Sequence, residues 1–370
     1  MLKSILKDIV RAGSVARTDP GPSATVAAHQ QWLDNLLKRM FQLMHNVEQD
    51  NFDPDRYRGI PPNAFFADRH AAYLTFLLSN AERFFHSRQL LEDEASRALY
   101  DQLILFRLLG HIHVRLPFNT PQNRAHVATA AGWRVEDTED VGAFGPLSIF
   151  RVPGRDRDIR VKGWKENVAW TFLYRQYFFA RNEVEIKPAA GDHVIDAGGC
   201  FGDTALGFAD VVGEAGHVYV FDPLPKHCAI MAQQLTLNPT LAPRISIFPF
   251  GLTDQANDVA PLVEDGKIDP GARILSAAMP TTTIDRALAQ RSAPRVDFIK
   301  MDIEGSELGA LRGAEATIRH WRPKLAISLY HRPEDFFSIP SWIDSLGVGY
   351  RLFLEHYSIH HEETVLYAVV

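Results

Sequence analysis

The chain has 370 residues, enough for two domains and a sizeable buried core. Its apolar fraction of 46% is ordinary for a globular protein, and a net charge of −6 without a dense basic run gives a nucleic-acid partner no support. Two cysteines, Cys200 and Cys228, supply neither a disulfide framework nor a metal quartet and suit a reducing compartment, so a cytoplasmic protein is expected.

At the start, MLKSILKDIVRAG is interrupted by Lys3, Lys7 and Asp8, too broken for a signal peptide. Nothing later reaches the ~18 uninterrupted apolar residues of a membrane span. Residues 1–22 turn Gly-, Pro- and Ser-rich and read as a loose arm. From Ala24 to Gln49, Trp32, Leu33, Leu36, Leu37, Met40, Leu43 and Met44 recur at helical spacing, predicting a face packed on a core or a partner. Further helices are predicted over 64–91, with a break, and 94–109. Residues 1–110 are therefore expected as a helical N-terminal region that offers a homo-oligomer contact.

After Gly110 the texture changes. The runs HIHVRLPF, WRVEDTED, LSIFRV and DIRVKG predict small strands, and 164–181 an aromatic helix, giving a small α/β connecting segment over 111–182. His111 and His113 would share one face of a strand, but two histidines alone do not make a metal site.

From 183 to 370 strands and helices alternate. Strands are predicted at 193–198, 217–222, 245–252, 296–303, 324–331, 350–358 and 363–370. Helices are predicted at 203–212, 225–237, near Thr283, at 306–319 and at 333–346, with an irregular stretch at 253–280. Alternation implies a mostly parallel sheet with right-handed crossovers, and the short HHEE link makes the last two strands an antiparallel hairpin. The expected fold class is α/β, a Rossmann-like seven-stranded sheet with its last strand antiparallel, as in the class I S-adenosylmethionine-dependent methyltransferases.

The centre of this region is HVIDAGGCFGDTALGFADVVGEAGHVYVFDP, His193 to Pro223. Gly198, Gly199 and Gly202 permit a tight turn, and Asp203 and Thr204 suit the start of a helix. Asp222 ends the second strand twenty positions past Gly202, the spacing at which a carboxylate meets ribose hydroxyls. A dinucleotide loop would be G-x-G-x-x-G, but Cys200 and Asp203 occupy its second and third glycine positions. Asp203 at a helix N-terminus would repel a pyrophosphate. The pattern Asp196, Gly198, Gly202 suits adenosine without phosphate, so S-adenosyl-L-methionine is the expected cofactor, its ammonium near Asp196 or Asp203.

The segments DAGGCFGDTALGFA, VYVFDP, FPFGLTD, TTTID, SLYHRPEDFFSIP and above all IKMDIEGSE together resemble the FkbM family of methyltransferases over residues 100–370. The resemblance implies methyl transfer from S-adenosyl-L-methionine to a hydroxyl on a sugar, glycan or natural product, a small-molecule or saccharide acceptor. By position it implies a methionine-side loop of Asp196, Gly198, Gly199, Gly202 and Asp203, and Asp222 as ribose acid. It also implies an adenine border from Gly251 to Asp254, including Leu252 and Asp254, and Asp302 facing the acceptor. Cys200 departs from the glycine that many class I enzymes carry.

An alcohol needs a base or a cation to take up its proton or developing charge. The catalytic candidates are Asp302 and Glu304 after the fourth strand and His331 after the fifth, with His356 and His360 near the final hairpin. His331 is the leading base candidate from its intrinsic pKa. Asp302 and Glu304 are the candidate ligands of a Mg²⁺ ion, since oxygen donors suit it. The alternatives are a non-catalytic interaction protein on the same fold and an NAD-dependent oxidoreductase, the latter opposed by Cys200, Asp203 and the antiparallel last strand.

Overall fold

The structure is a computed structural model that describes residues 24–54, 70–140, 145–256, 260–262, 277–291 and 295–370. The expected arm at 1–22, residues 64–69 of the second predicted helix and most of the irregular stretch at 253–280 lie outside the described residues.

The N-terminal region is helical: α1 (Ala24–Leu43), α2 (His70–Ser79), α3 (Ala81–Leu90) and α4 (Glu94–Leu109). The break expected within 64–91 falls at Asn80. Helix α4 keeps its predicted bounds because both ends are capped. Asp93 accepts from the Ser96 N–H at 2.7 Å, and Gly110 leaves the helix with φ 75°.

The connecting segment departs from expectation in three places. HIHVRLPF is a turn and not a strand, so His111 and His113 do not share a strand face. Helix α5 (Pro121–Gly132) was not expected; Thr120 caps it through the Asn123 N–H and Pro121 occupies its first turn. The three-stranded sheet β1 (Arg134–Asp140), β2 (Pro146–Pro153) and β3 (Asp158–Gly163) is as expected. The aromatic helix is much shorter than 164–181: α6 (Lys165–Val168) runs on as a π-turn over Ala169–Leu173. The chain then forms a tight hairpin of β4 (Phe179–Arg181) and β5 (Val184–Ile186). Asn182 and Glu183 turn it with φ 48° and 65°, the conformation a two-residue hairpin loop demands.

Next come β6 (His193–Ala197), α7 (Asp203–Val212), β7 (His217–Phe221), α8 (Pro225–Leu237) and β8 (Ile245–Phe248). The strand expected over 245–252 stops at Phe248, ahead of Pro249, which has no N–H for a ladder. It resumes as β9 (Gly251–Leu252); β10 (Ala260–Leu262) pairs with β11 (Ala277–Met279), and β12 (Thr281–Thr282) with β9. Then follow α9 (Ile284–Arg291), β13 (Phe298–Met301), α10 (Glu307–Arg312), α11 (Glu315–Trp321) and β14 (Lys324–Ser328). The chain closes with α12 (Asp335–Ser345), β15 (Arg351–His356) and β16 (Thr364–Val369). The helix expected over 306–319 is interrupted around Gly313, whose α-carbon packs so closely on the Thr253 carbonyl that a Cβ would lie 2.1 Å from its oxygen.

The main sheet has seven strands in the order β15-β16-β14-β13-β6-β7-β8, with β16 antiparallel to both neighbours. Its central strands are buried on both faces, which is why FIKM and HVIDA read as nearly continuous apolar runs. Helices α1–α4 do not form a separate core. Leu36, Tyr100 and Phe106 belong to the same apolar cluster as Ile195, Ile299 and Ile327 on one sheet face. The other face, with Val194, Val220 and Phe298, packs on α7, the π-turn and the β2–β3 strands. Among the described residues no helix is long and apolar enough to cross a membrane.

Candidate functional site

The parallel strands β6, β7 and β13 deliver their carboxyl ends to one edge of the sheet, where ligands of open α/β folds bind. The turn after β6 folds back on the sheet, with the Gly198 N–H donating to the Phe221 carbonyl at 2.8 Å. Gly198 has φ 82° and presses against the end of β13: a Cβ there would sit 1.8 Å from the Asp302 carbonyl oxygen. At Gly199 a Cβ would meet Val220 at 2.2 Å, so both glycines are required by backbone approach. Gly202, φ 87°, opens α7. Cys200 itself adopts φ 47°, a conformation that glycine takes without strain.

The acids at the turn already have partners within the chain. Asp196, fully buried, lies 3.0 Å from Lys300 Nζ and accepts from the Thr204 hydroxyl at 2.7 Å. Lys300, 2% exposed, also donates to the Ala197 and Gly198 carbonyls at 3.1 and 2.7 Å. Burial opposes its charge, but Asp196 and then Asp302 outweigh it and raise its pKa. Asp203 accepts from the Thr171 hydroxyl, and burial pushes its carboxyl up to about 6. Asp222, also buried, accepts from the Cys200 and Leu224 N–H groups at 2.9 Å each and faces His227 Nδ1 at 3.0 Å. Leu252 belongs to the apolar cluster beneath this edge, while Asp254 is exposed and accepts from the Thr253 hydroxyl.

Asp302 is the hub of the second half of the site. The hydroxyls of Tyr177 and Tyr330 each donate to one of its oxygens at 2.8 Å. His331 Nε2 lies 3.4 Å from Asp302 and 3.5 Å from Glu304, and its Nδ1 lies 2.9 Å from Glu307. Three carboxylates thus surround one imidazole. Burial would lower the His331 pKa, but Glu307, Asp302 and Glu304 raise it to about 9. Burial would raise Asp302, but the His331 and Lys300 charges and the two tyrosine hydroxyls hold it below the usual carboxylate range. Glu304, with its side chain 56% exposed and its backbone at φ 58°, is pushed up to about 7 by partial desolvation and by Asp302 and Glu307, with His331 opposing.

The structure therefore brings Asp302, Glu304 and His331 together. Glu307 joins Asp302 and His331 more closely than Glu304 does. The atoms within 4.8 Å of one another that could hold a cation belong to Asp302, Glu307 and His331. His356 and His360 serve elsewhere: His356 is buried against Thr364 and pushed down to about 3 by burial, and His360 accepts from the Asp53 N–H. Sequence reasoning passed over Lys300, Tyr330 and the buried role of Glu307, and read Tyr177 as a core residue of the aromatic helix. Lys300 had a signal, a lysine inside the otherwise apolar FIKM; Tyr330 had none.

Residues 196–352 match the family model described as methyltransferase FkbM domain. The chain is similar to the crystal structure of methyltransferase FkbM from Methylobacillus flagellatus KT, at 20% identity and a TM-score of 0.50, over 80% of this chain and 60% of that one. The chain thus spans 60% of that relative's length. Aeropyrum pernix fibrillarin, solved with natively bound S-adenosyl-L-methionine, is a more distant likeness: 13% identity and a TM-score of 0.34, over 64% of this chain and 99% of that one. No curated protein matches the chain. Residues 196–352 thus match a methyltransferase FkbM domain and are laid out on the seven-stranded sheet with its one antiparallel strand.

Proposed function

We propose that the chain transfers a methyl group from S-adenosyl-L-methionine to a hydroxyl of a small-molecule or saccharide acceptor. The observation that carries this reading is the backbone contact between Gly198 and Asp302. It joins the expected cofactor turn to the cluster of Asp302, Glu304 and His331, so a ligand on one borders the other.

The donor set fits this cofactor. The turn offers carboxylates and no cation for a phosphate: Lys300 is already engaged by Asp196, and Asp203 stands at the first turn of α7. Asp222 would hold the ribose hydroxyls, with the Cys200 N–H and His227 fixing its orientation. When bound, the cofactor supplies a methyl group already activated for attack, so the chain's task is alignment and removal of one proton. The raised pKa of His331 argues for an imidazolium at neutral pH and moves the base role to Glu304, a carboxyl poised near the operating pH. In this arrangement Glu304 accepts the acceptor's hydroxyl proton, His331 steadies the negative charge around it, and the two tyrosines lock Asp302. The test is incubation with methyl-labelled cofactor and a panel of hydroxylated acceptors; label should appear in an ether. Label released only as methanol, or transferred to nitrogen or carbon, would contradict the reading.

A second reading has its own observation. Neither ring nitrogen of His331 makes a hydrogen bond of good geometry, nor does the buried Oε2 of Glu307. Asp302, Glu307 and His331 would then hold a divalent cation such as Mg²⁺, which would supply Lewis acidity toward the acceptor oxygen. Chelator treatment separates the two: activity is unchanged with the imidazolium and lost with the metal.

A further inference from the structure

Gly305 borders a cleft of about 500 Å³ between the N-terminal helices and the sheet domain. Three arginines line it: Arg83 from α3, Arg312 at the end of α10 and Arg332 after β14. All three are exposed, and among the described residues none forms an ion pair. Arg83 stacks at 4.0 Å over the Phe337 ring, which fixes its plane and leaves most of its N–H edge free. Phe76 also lines the cleft and stacks with Phe337 at 6.0 Å, giving it an apolar surface beside its charges. Two acids also border it. Glu334 is exposed; Asp335 accepts the Arg332 backbone N–H, and its carboxyl is pushed up to about 7 by burial and by Glu307. Neither acid neutralises a guanidinium.

The cleft abuts the chemistry. Arg332 follows His331 directly, and its side chain lies so close to Gly305 that a Cβ there would stand 2.7 Å from Nε. Gly305 in turn follows Glu304. Guanidinium groups present paired N–H donors matched to oxyanions, and unpaired arginines beside an aromatic surface suit a ring that carries one. We infer that this cleft holds an anionic group of the methyl acceptor, a phosphate, sulfate or carboxylate, an inference that rests on the methyl-transfer reading above. The N-terminal helices then take part in acceptor choice through Arg83.

The experiment is calorimetric titration of the full chain at low salt with glucose 1-phosphate, glucuronate and uncharged glucose. At least one anion should bind with a Kd below about 1 mM, glucose should not, and the tighter anion names the acceptor's group. Combining Arg312→Gln with Arg332→Gln should weaken anion binding by at least ~10-fold. S-adenosylhomocysteine, titrated into the same proteins, should bind the variant and the parent equally, which locates the loss in the cleft. Anions that bind no better than glucose, or equally to the double variant, would overturn the cleft assignment. Absence of S-adenosylhomocysteine binding in the parent would instead overturn the methyl-transfer reading, with the anion titrations still deciding whether the cleft binds an oxyanion.

Discussion

Lys300 and Asp196 are direct lateral partners in the pairing of β13 with β6, and their charges meet 3.0 Å apart with side chains 2% and 0% exposed. The pair lies directly under the glycine turn, whose carbonyls Lys300 also holds. Breaking a buried pair by removing one member leaves the other charge uncompensated, at a cost of about 3–5 kcal/mol. Lys300→Met should therefore lose stability of that order in chemical denaturation, and adding Asp196→Asn should restore part of it. A loss below about 1 kcal/mol for Lys300→Met would show that the pair is not held as described.

The imidazole of His331 binds its proton more tightly in the folded state, with its pKa raised from 6.5 to about 9. Its contribution is fully present below pH 6.5 and disappears as the pH rises through about 9, on the order of 3 kcal/mol in all. Denaturation of the parent between pH 7.5 and 9 should show stability falling, and His331→Gln should flatten that slope whatever its absolute stability. An unchanged slope in the variant would place the titration elsewhere.

If Glu304 takes the acceptor's proton, the rate should rise with pH through about 7, where its carboxyl ionises. Because Glu304, His331 and Asp302 interact closely, the observed midpoint belongs to the cluster. Glu304→Gln should lower kcat by about 10²–10⁴ and abolish the ascending limb, with cofactor affinity preserved. A Gln variant that keeps the parent's pH profile would remove Glu304 from the base role.

Cys200 sits at φ 47°, where a side chain is strained and glycine is not. Cys200→Gly should be neutral or slightly stabilising in thermal unfolding, the relief of strain offsetting the entropy glycine adds to the unfolded chain. Cys200→Val, β-branched, should cost about 1–3 kcal/mol. Greater damage from glycine than from valine would mean that the turn depends on the Cys200 side chain and not on its backbone.

The half of the site built from consecutive residues was legible, because strand, glycine turn, helix and acid are local in sequence and each has its own residue signal. The bounds of α4 were legible for the same reason, through Asp93 and Gly110. What depends on tertiary placement was not. Tyr177 reaches Asp302 only after a π-turn and a tight bend, and it lies in a stretch whose aromatic residues read as one long helix. The Lys300–Asp196 pair depends on the register between two strands about a hundred residues apart, which neither strand reveals alone. The inward place of Glu307 was hidden as well, because Glu304, at φ 58°, leaves the strand direction and Glu307 comes from the next helix. Helix α5 could have been found from Thr120 and Pro121, an N-cap followed by a first-turn proline.

The most direct test of the account is calorimetric titration of the full chain with S-adenosylhomocysteine, with NADH alongside and Asp222→Ala as the variant. S-adenosylhomocysteine alone should bind, with a Kd in the micromolar range, weakened at least ~10-fold in Asp222→Ala. Binding of NADH in its place, or equal affinity for S-adenosylhomocysteine in the variant, would contradict it.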